Sequence, residues 1–134
     1  MQIAFVVHSI GEYTGVKVQA CVGGTLIKDN IKNLKDGGTH VVVGTPGRIH
    51  DMMKRGFLKT DYLKLFVMDE ADEMLSLGFK QQIQDIFKFM PGDVQIALYS
   101  ATLPKSILQM TANFMRNPAK ILVKSQQLTL EGIK

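Results

Sequence analysis

A chain of 134 residues with 46% hydrophobic and 21% charged side chains has the size and balance expected of one globular domain. Its single cysteine, Cys21, excludes an internal disulfide and a cysteine zinc site, and fits a reducing compartment. The formal net charge of +4 permits attraction to phosphates, although a scattered, solvated surface accounts for it equally well until a specific phosphate site is found.

Residues 2–13 read as a helix ending near Gly15. The apolar start has no basic leader and is soon interrupted by His8, Glu12 and Tyr13, which argues against a signal peptide. Residues 16–22 alternate at period two and predict a strand, broken by Gly23-Gly24. Thr25 is placed to cap a helix over 25–34, stopped by Gly37-Gly38. His40-Val41-Val42-Val43 reads as a buried strand, Gly44-Thr45-Pro46-Gly47 as a turn, and 48–54 as a helix. Runs such as Val41-Val42-Val43 are strand-sized, and none approaches a membrane span, so no membrane is expected as a partner.

Lys64-Leu65-Phe66-Val67-Met68 predicts the next strand, then helices over 71–77 and 80–89 separated at Gly78. Pro91-Gly92-Asp93 is a turn and 95–99 a strand. Leu103-Pro104 opens a helix to about Phe114, and Ile121-Leu122-Val123 reads as a last strand. The polar stretch 126–134 reads as the start of a connection. Alternating strands and helices predict an α/β layered fold with a mostly parallel sheet. Ligands gather at the carboxyl ends of such strands, and Thr45, Asp69 and Ser100 each follow a strand, which predicts one working edge.

Asp69-Glu70-Ala71-Asp72 directly follows what reads as a buried strand and opens a helix. One carboxylate there can hold a hydrated Mg²⁺, and another can orient or deprotonate an attacking water. Simple helix capping is the competing explanation. Ser100-Ala101-Thr102 offers two hydroxyls able to bridge the acids to something that moves, where a cap is again the alternative. Thr45-Pro46-Gly47-Arg48 sets a hydroxyl, bare backbone and a guanidinium at a helix entrance, a combination suited to phosphate. Gly23-Gly24 lets a sugar-phosphate chain approach the backbone. Each of these two, taken alone, is more often an ordinary turn. His8, His40, His50 and Cys21 have no metal-ligand spacing, and the methionines fall mostly at core spacings.

In this order, Gly23-Gly24, Thr45-Pro46-Gly47-Arg48, Asp69-Glu70-Ala71-Asp72 and Ser100-Ala101-Thr102 resemble successive motifs of the DEAD-box RNA helicases. The resemblance runs from about Gln2 to Lys134. Asp69 to Leu75, Gly78-Phe79-Lys80, Ile121 to Lys124 and Leu128 to Lys134 are similar to the branch of eukaryotic translation initiation factor four-A, with its exon-junction relative as the alternative. The fold implied is RecA-like, of the P-loop NTPase type, lacking its N-terminal strands and phosphate loop. Residues 1–125 would be the C-terminal part of the first ATP-binding motor domain, and 126–134 the start of the connection to the second.

The resemblance implies that Asp69 holds Mg²⁺ through water and that Glu70 is the catalytic base for water attacking the γ-phosphate of ATP. It implies that Asp72 couples to Ser100 and Thr102, and that Gly23, Gly24, Thr45, Gly47 and Arg48 lie on the RNA backbone. RNA and initiation-complex proteins would be partners, in the cytoplasm, with the nucleus as the alternative place. No G-x-x-x-x-G-K-[ST] occurs in the chain, so the phosphate loop is expected before Met1 and the arginine fingers after Lys134. The expected function is part of an ATP-dependent RNA helicase, inactive by itself. The alternative is a non-catalytic, truncated RNA- or protein-binding module. In the family's sheet order, the strand over 95–99 would lose a neighbour here and Ile121-Leu122-Val123 its docking place, and strand exchange between copies is one expected remedy.

Overall fold

The computed structural model describes residues 2–123 of the chain. The elements are α1 (Gln2–Ile10), β1 (Val18–Cys21), α2 (Ile27–Lys35), β2 (Val41–Gly44), α3 (Pro46–Lys54), β3 (Leu65–Met68), α4 (Ala71–Ser76), α5 (Lys80–Lys88), β4 (Gln95–Leu98) and α6 (Lys105–Phe114). Every strand but the expected last one is present. Strands and helices alternate because short, mostly apolar runs end in glycine or polar turns, and the segments that follow carry their apolar residues at helical spacing.

The strands form two parallel pairs, not one continuous sheet. β1 lies beside β2 with Val18 opposite Val41 and Cys21 opposite Gly44. β3 lies beside β4 with Leu65 opposite Gln95 and Met68 opposite Leu98. In each pair a helical crossover returns the chain to the same end, so both polar turns of a pair emerge together.

The larger core belongs to the second pair. Met68, Ala71, Ile83, Phe87, Ile107 and Met110 form one buried cluster between β3, β4, α5 and α6. Phe66 meets Phe87 edge-on at 5.3 Å, and Phe114 stacks on Phe87 at 4.1 Å. Such aromatic pairs add about 0.5–1.5 kcal/mol to what burial of their area already contributes. Met52 and Met53, on α3, are also buried, in line with the core spacing of the methionines.

Several local expectations are corrected. α3 begins at Pro46, not Arg48, because proline's fixed φ suits the first helical position behind an extended Thr45. Pro104 is the cap of α6 and not part of it. Thr25 does not cap α2, whose cap is Leu26; the Thr25 hydroxyl donates instead to the Val22 carbonyl at 2.9 Å. β2 is half-buried, and β3 buries only alternate residues, leaving Leu65 and Val67 about half exposed at 50% and 52%. Ile121, Leu122 and Val123 are not a strand and are 93%, 67% and 64% exposed. The exposure of β3 and that of the last triplet share a cause. Among the described residues nothing covers that face of β3, and β4 pairs with β3 alone, so the last apolar triplet has no strand to join. The expected connection over 126–134 lies outside the described residues. Among the described residues no helix is long and apolar enough to cross a membrane.

Candidate functional site

At the carboxyl end of β3 and β4 the backbone ladder continues past both strands. The Tyr99 N–H donates to the Met68 carbonyl at 2.8 Å, and the Ala71 N–H to the Tyr99 carbonyl at 3.1 Å. This fixes Asp69 and Glu70 beside Ser100. Glu70 caps α4 in the left-handed region, with φ 49° and ψ 46°. A non-glycine residue there stores backbone strain of about 1–3 kcal/mol and persists only where its surroundings enforce it. The result is that the Asp69 and Glu70 carboxylates are exposed and line one open hollow with Asp72, Tyr99 and Ser100.

Asp69 Oδ1 accepts the Glu70 N–H at 2.9 Å, leaving its other oxygen free for a ligand. Asp72 is committed differently. Its Oδ2 accepts both the Thr102 hydroxyl at 2.7 Å and the Thr102 N–H at 2.9 Å. Its own N–H donates to Ser100 Oγ at 3.2 Å. The Thr102 hydroxyl above all, with smaller help from Ser100, holds the Asp72 carboxyl at about 2, below its ordinary 3.8. Asp72 is therefore an anion anchoring the Ser100-Ala101-Thr102 segment, while Asp69 and Glu70 remain available.

The other polar turns meet at the end of β1 and β2. The Thr45 N–H donates to the Cys21 carbonyl at 3.2 Å, and the Gly23 N–H donates to the Thr45 hydroxyl at 3.3 Å. Thr45 is the extended cap of α3, but its hydroxyl serves the neighbouring loop and leaves the first N–H groups of α3 uncapped. Gly24 has φ +79°, which a side chain would strain, and a Cβ at Gly23, Gly24 or Gly47 would meet nothing within 4 Å. Bare backbone thus faces open space on both segments. Arg48 spans them: Nη2 donates to the Thr25 carbonyl at 2.9 Å, and Nη1 to Thr25 Oγ1 at 3.2 Å and Asn30 Oδ1 at 2.5 Å.

The structure brings Asp69, Glu70, Asp72, Ser100 and Thr102 together, and separately Gly23, Gly24, Thr45, Gly47 and Arg48. The single working edge expected from sequence is two clusters, because the strands form two pairs. Asn30 was not singled out by sequence reasoning. It is a polar residue only 4% exposed, and its amide also donates to the Ala20 carbonyl at 3.0 Å. An asparagine within an otherwise lysine-rich helix gives no sequence signal of burial. Burial pushes the Cys21 thiol up against the opposing charge of Arg48, which makes it a packing residue.

Among the described residues no three His, Cys, Asp or Glu side chains converge as a closed metal cage. An exposed carboxylate with one free oxygen fits a hydrated Mg²⁺, which keeps several waters and needs only one or two protein carboxylates.

The family model described as DEAD/DEAH box helicase matches residues 1–110. The chain belongs to that family. Its relatives place it on the initiation-factor-4A-like branch. It is 57% identical over 133 residues to a eukaryotic initiation factor 4A of Cryptosporidium parvum, covering 99% of this chain and 33% of the relative. It is likewise 57% identical to an ATP-dependent RNA helicase eIF4A of Botryotinia fuckeliana, over the same shares. The chain thus spans about a third of the curated relatives it matches.

Solved structures agree. A DEAD box protein from Methanococcus jannaschii superposes with a TM-score of 0.78 at 37% identity, over 87% of this chain and 32% of that one. A hypothetical ATP-dependent RNA helicase from Sulfolobus tokodaii does so with 0.79 at 32%, over 87% and 34%. The α/β fold of this DEAD/DEAH box chain is part of a RecA-like domain with parallel strands and flanking helices.

Proposed function

We propose that this chain is part of an ATP-dependent RNA helicase of translation initiation, acting in the cytoplasm beside initiation-complex proteins. Residues 1–125 form the C-terminal part of the first motor domain, and 126–134 begin the connection to a second. The observation that carries this reading is the division of labour at β3 and β4. Asp72 is consumed by Thr102 and Ser100, while Asp69 and Glu70 are left exposed by the left-handed turn at Glu70.

Bound Mg·ATP supplies the phosphoryl group to be transferred. Asp69 would hold the ion through water with its free oxygen. Glu70 would orient the attacking water and accept its proton. Asp72 passes any change at this hollow to the Ser100-Ala101-Thr102 segment through its bonds to Thr102. At the β1–β2 end the N–H groups of Gly24 and Gly47, with Gly23, Thr45 and Arg48, follow the phosphates and sugars of single-stranded RNA. Such contacts position the strand without reading bases.

The chain has no lysine phosphate loop, and phosphoryl transfer rests on positioning and charge neutralisation, so the chain alone does not turn over ATP. Phosphate release with RNA should equal a buffer blank; release that disappears in Glu70→Gln would overturn this. Labelled RNA should bind weakly and without base preference, with a log–log salt slope of about −0.7 per phosphate neutralised. Tight, base-selective binding unchanged by Gly24→Val would show that the RNA surface lies elsewhere.

A further inference from the structure

Arg48 lies in the β1–β2 cluster, but much of its hydrogen-bonding capacity is turned inward. Of its five N–H donors, one goes to the Thr25 carbonyl, one to the Thr25 hydroxyl and one to Asn30 Oδ1. Asn30 is the buried end of this arrangement, 4% exposed, on α2. Its Nδ2 is tied to the Ala20 carbonyl of β1 at 3.0 Å, so its Oδ1 is aimed at Arg48 by a fixed amide. The path therefore runs β1, Asn30, Arg48, Thr25, and crosses from α2 to α3. A second stitch, the Gly23 N–H on the Thr45 hydroxyl, joins the same two segments at 3.3 Å.

We propose that Asn30 is a positioning residue for nucleic-acid binding: it holds Arg48 as a brace across the Gly23-Gly24-Thr25 loop, so that the loop and the α3 entrance present their N–H groups as one track. This rests on the RNA reading of the β1–β2 end. It gives Arg48 a geometric task that needs a planar fork. A lysine at 48 keeps the charge but cannot reach the Thr25 carbonyl, the Thr25 hydroxyl and Asn30 together in that geometry. A guanidinium acting only as a point charge for phosphate would be replaced by lysine with little loss.

The test uses the full chain, fluorescein-labelled oligouridylate and amide hydrogen exchange. Arg48→Lys and Asn30→Leu should each weaken binding about tenfold, the scale of a lost hydrogen bond to a charged group. Combined, they should weaken it no further than either alone, since both remove one brace. Asn30→Asp keeps the acceptor for Arg48 while giving up the donor to Ala20, and should hold affinity within about threefold of the parent. Amide exchange at Gly23, whose N–H donates to the Thr45 hydroxyl, should quicken in Asn30→Leu and Arg48→Lys without RNA present, and stay as slow as in the parent in Asn30→Asp.

Parent-like binding by Arg48→Lys, or additive losses in the double variant, would overturn the brace. A loss in Asn30→Asp as deep as in Asn30→Leu would reduce Asn30 to a support for β1, and also overturn it. If Asn30→Leu fails to fold, Asn30→Asp and Arg48→Lys still decide. Absence of RNA binding by the parent would instead sink the RNA reading, and the exchange comparison would then decide the brace by itself.

Discussion

The two parallel pairs use one local plan, strand, polar turn and helix, to opposite chemical ends. At the end of β2 the cap residue Thr45 is extended, with φ −88° and ψ 148°, and Pro46 starts the helix at once. What emerges is uncapped backbone N–H and a cationic cross-brace. At the end of β3 the cap residue Glu70 is left-handed, and what emerges is a pair of exposed carboxylates. The first end is suited to an anionic chain, the second to a cation and a water. The contrast teaches that the turn conformation after a strand, more than the strand itself, sets the chemistry of a parallel α/β edge. The two ends also differ in support, because the larger cluster of buried apolar residues lies under the acidic one.

That difference in support gives the largest expected effect. Phe87→Ala removes the ring that both Phe66 and Phe114 contact, and should cost about 3–5 kcal/mol in urea unfolding. Amides of β3 and β4 should lose protection before those of β1 and β2. Equal loss across both pairs would mean that the chain has one core and not a stronger and a weaker half.

The converse change strikes the other pair. A Cβ at Gly44 would lie 2.3 Å from the Cys21 carbonyl oxygen and 2.7 Å from Ile49, so Gly44→Ala must push β1 and β2 apart. A cost of about 1–3 kcal/mol is expected, with exchange quickening first at Val18 to Cys21. A neutral result would show that this pair adjusts freely.

At the acidic end, Glu70→Gly relieves the left-handed backbone and should raise stability by about 1 kcal/mol while removing the carboxylate. An unchanged or lowered denaturation midpoint would mean that φ 49° carries no strain. The smallest effect concerns Asp72, whose bonds are exposed and weakened by solvent. Because its folded value is depressed, its contribution is present above 3.8 and is lost only as pH falls through about 2. Exchange at the Thr102 N–H, corrected for its intrinsic pH dependence, should stay protected to near that pH and lose protection at all pH values in Asp72→Ala. Loss of protection already near pH 4 would contradict the depressed value.

Much of this was legible in the sequence because its signals are local. A period-two run located the first strand and short apolar runs the other three, Gly23-Gly24 and Gly78 marked real breaks, and the motif order led to the family. What was not legible depends on partners distant in the chain. Ile121-Leu122-Val123 has strand propensity, and its residues alone do not tell that its neighbour is missing; only the family's sheet order foretold the lost docking place. Leu65 and Val67 read as buried for the same reason, since only a covering layer could bury both faces of β3. Thr25 and Arg48 each had a plausible local role, as a helix cap and as a charge for phosphate. Their partnership across 23 positions could not be read from either. Asn30 was missed because burial of an amide depends on who needs its two ends.

The most direct test of the two-ended account is the amide spectrum of the chain during titration with single-stranded oligouridylate in the absence of nucleotide. The account predicts shifts at Gly23, Gly24, Gly47 and Arg48, with Glu70, Ala71, Asp72 and Thr102 unmoved. Shifts centred on Glu70 to Asp72, with Gly23 and Gly24 unaffected, would contradict it.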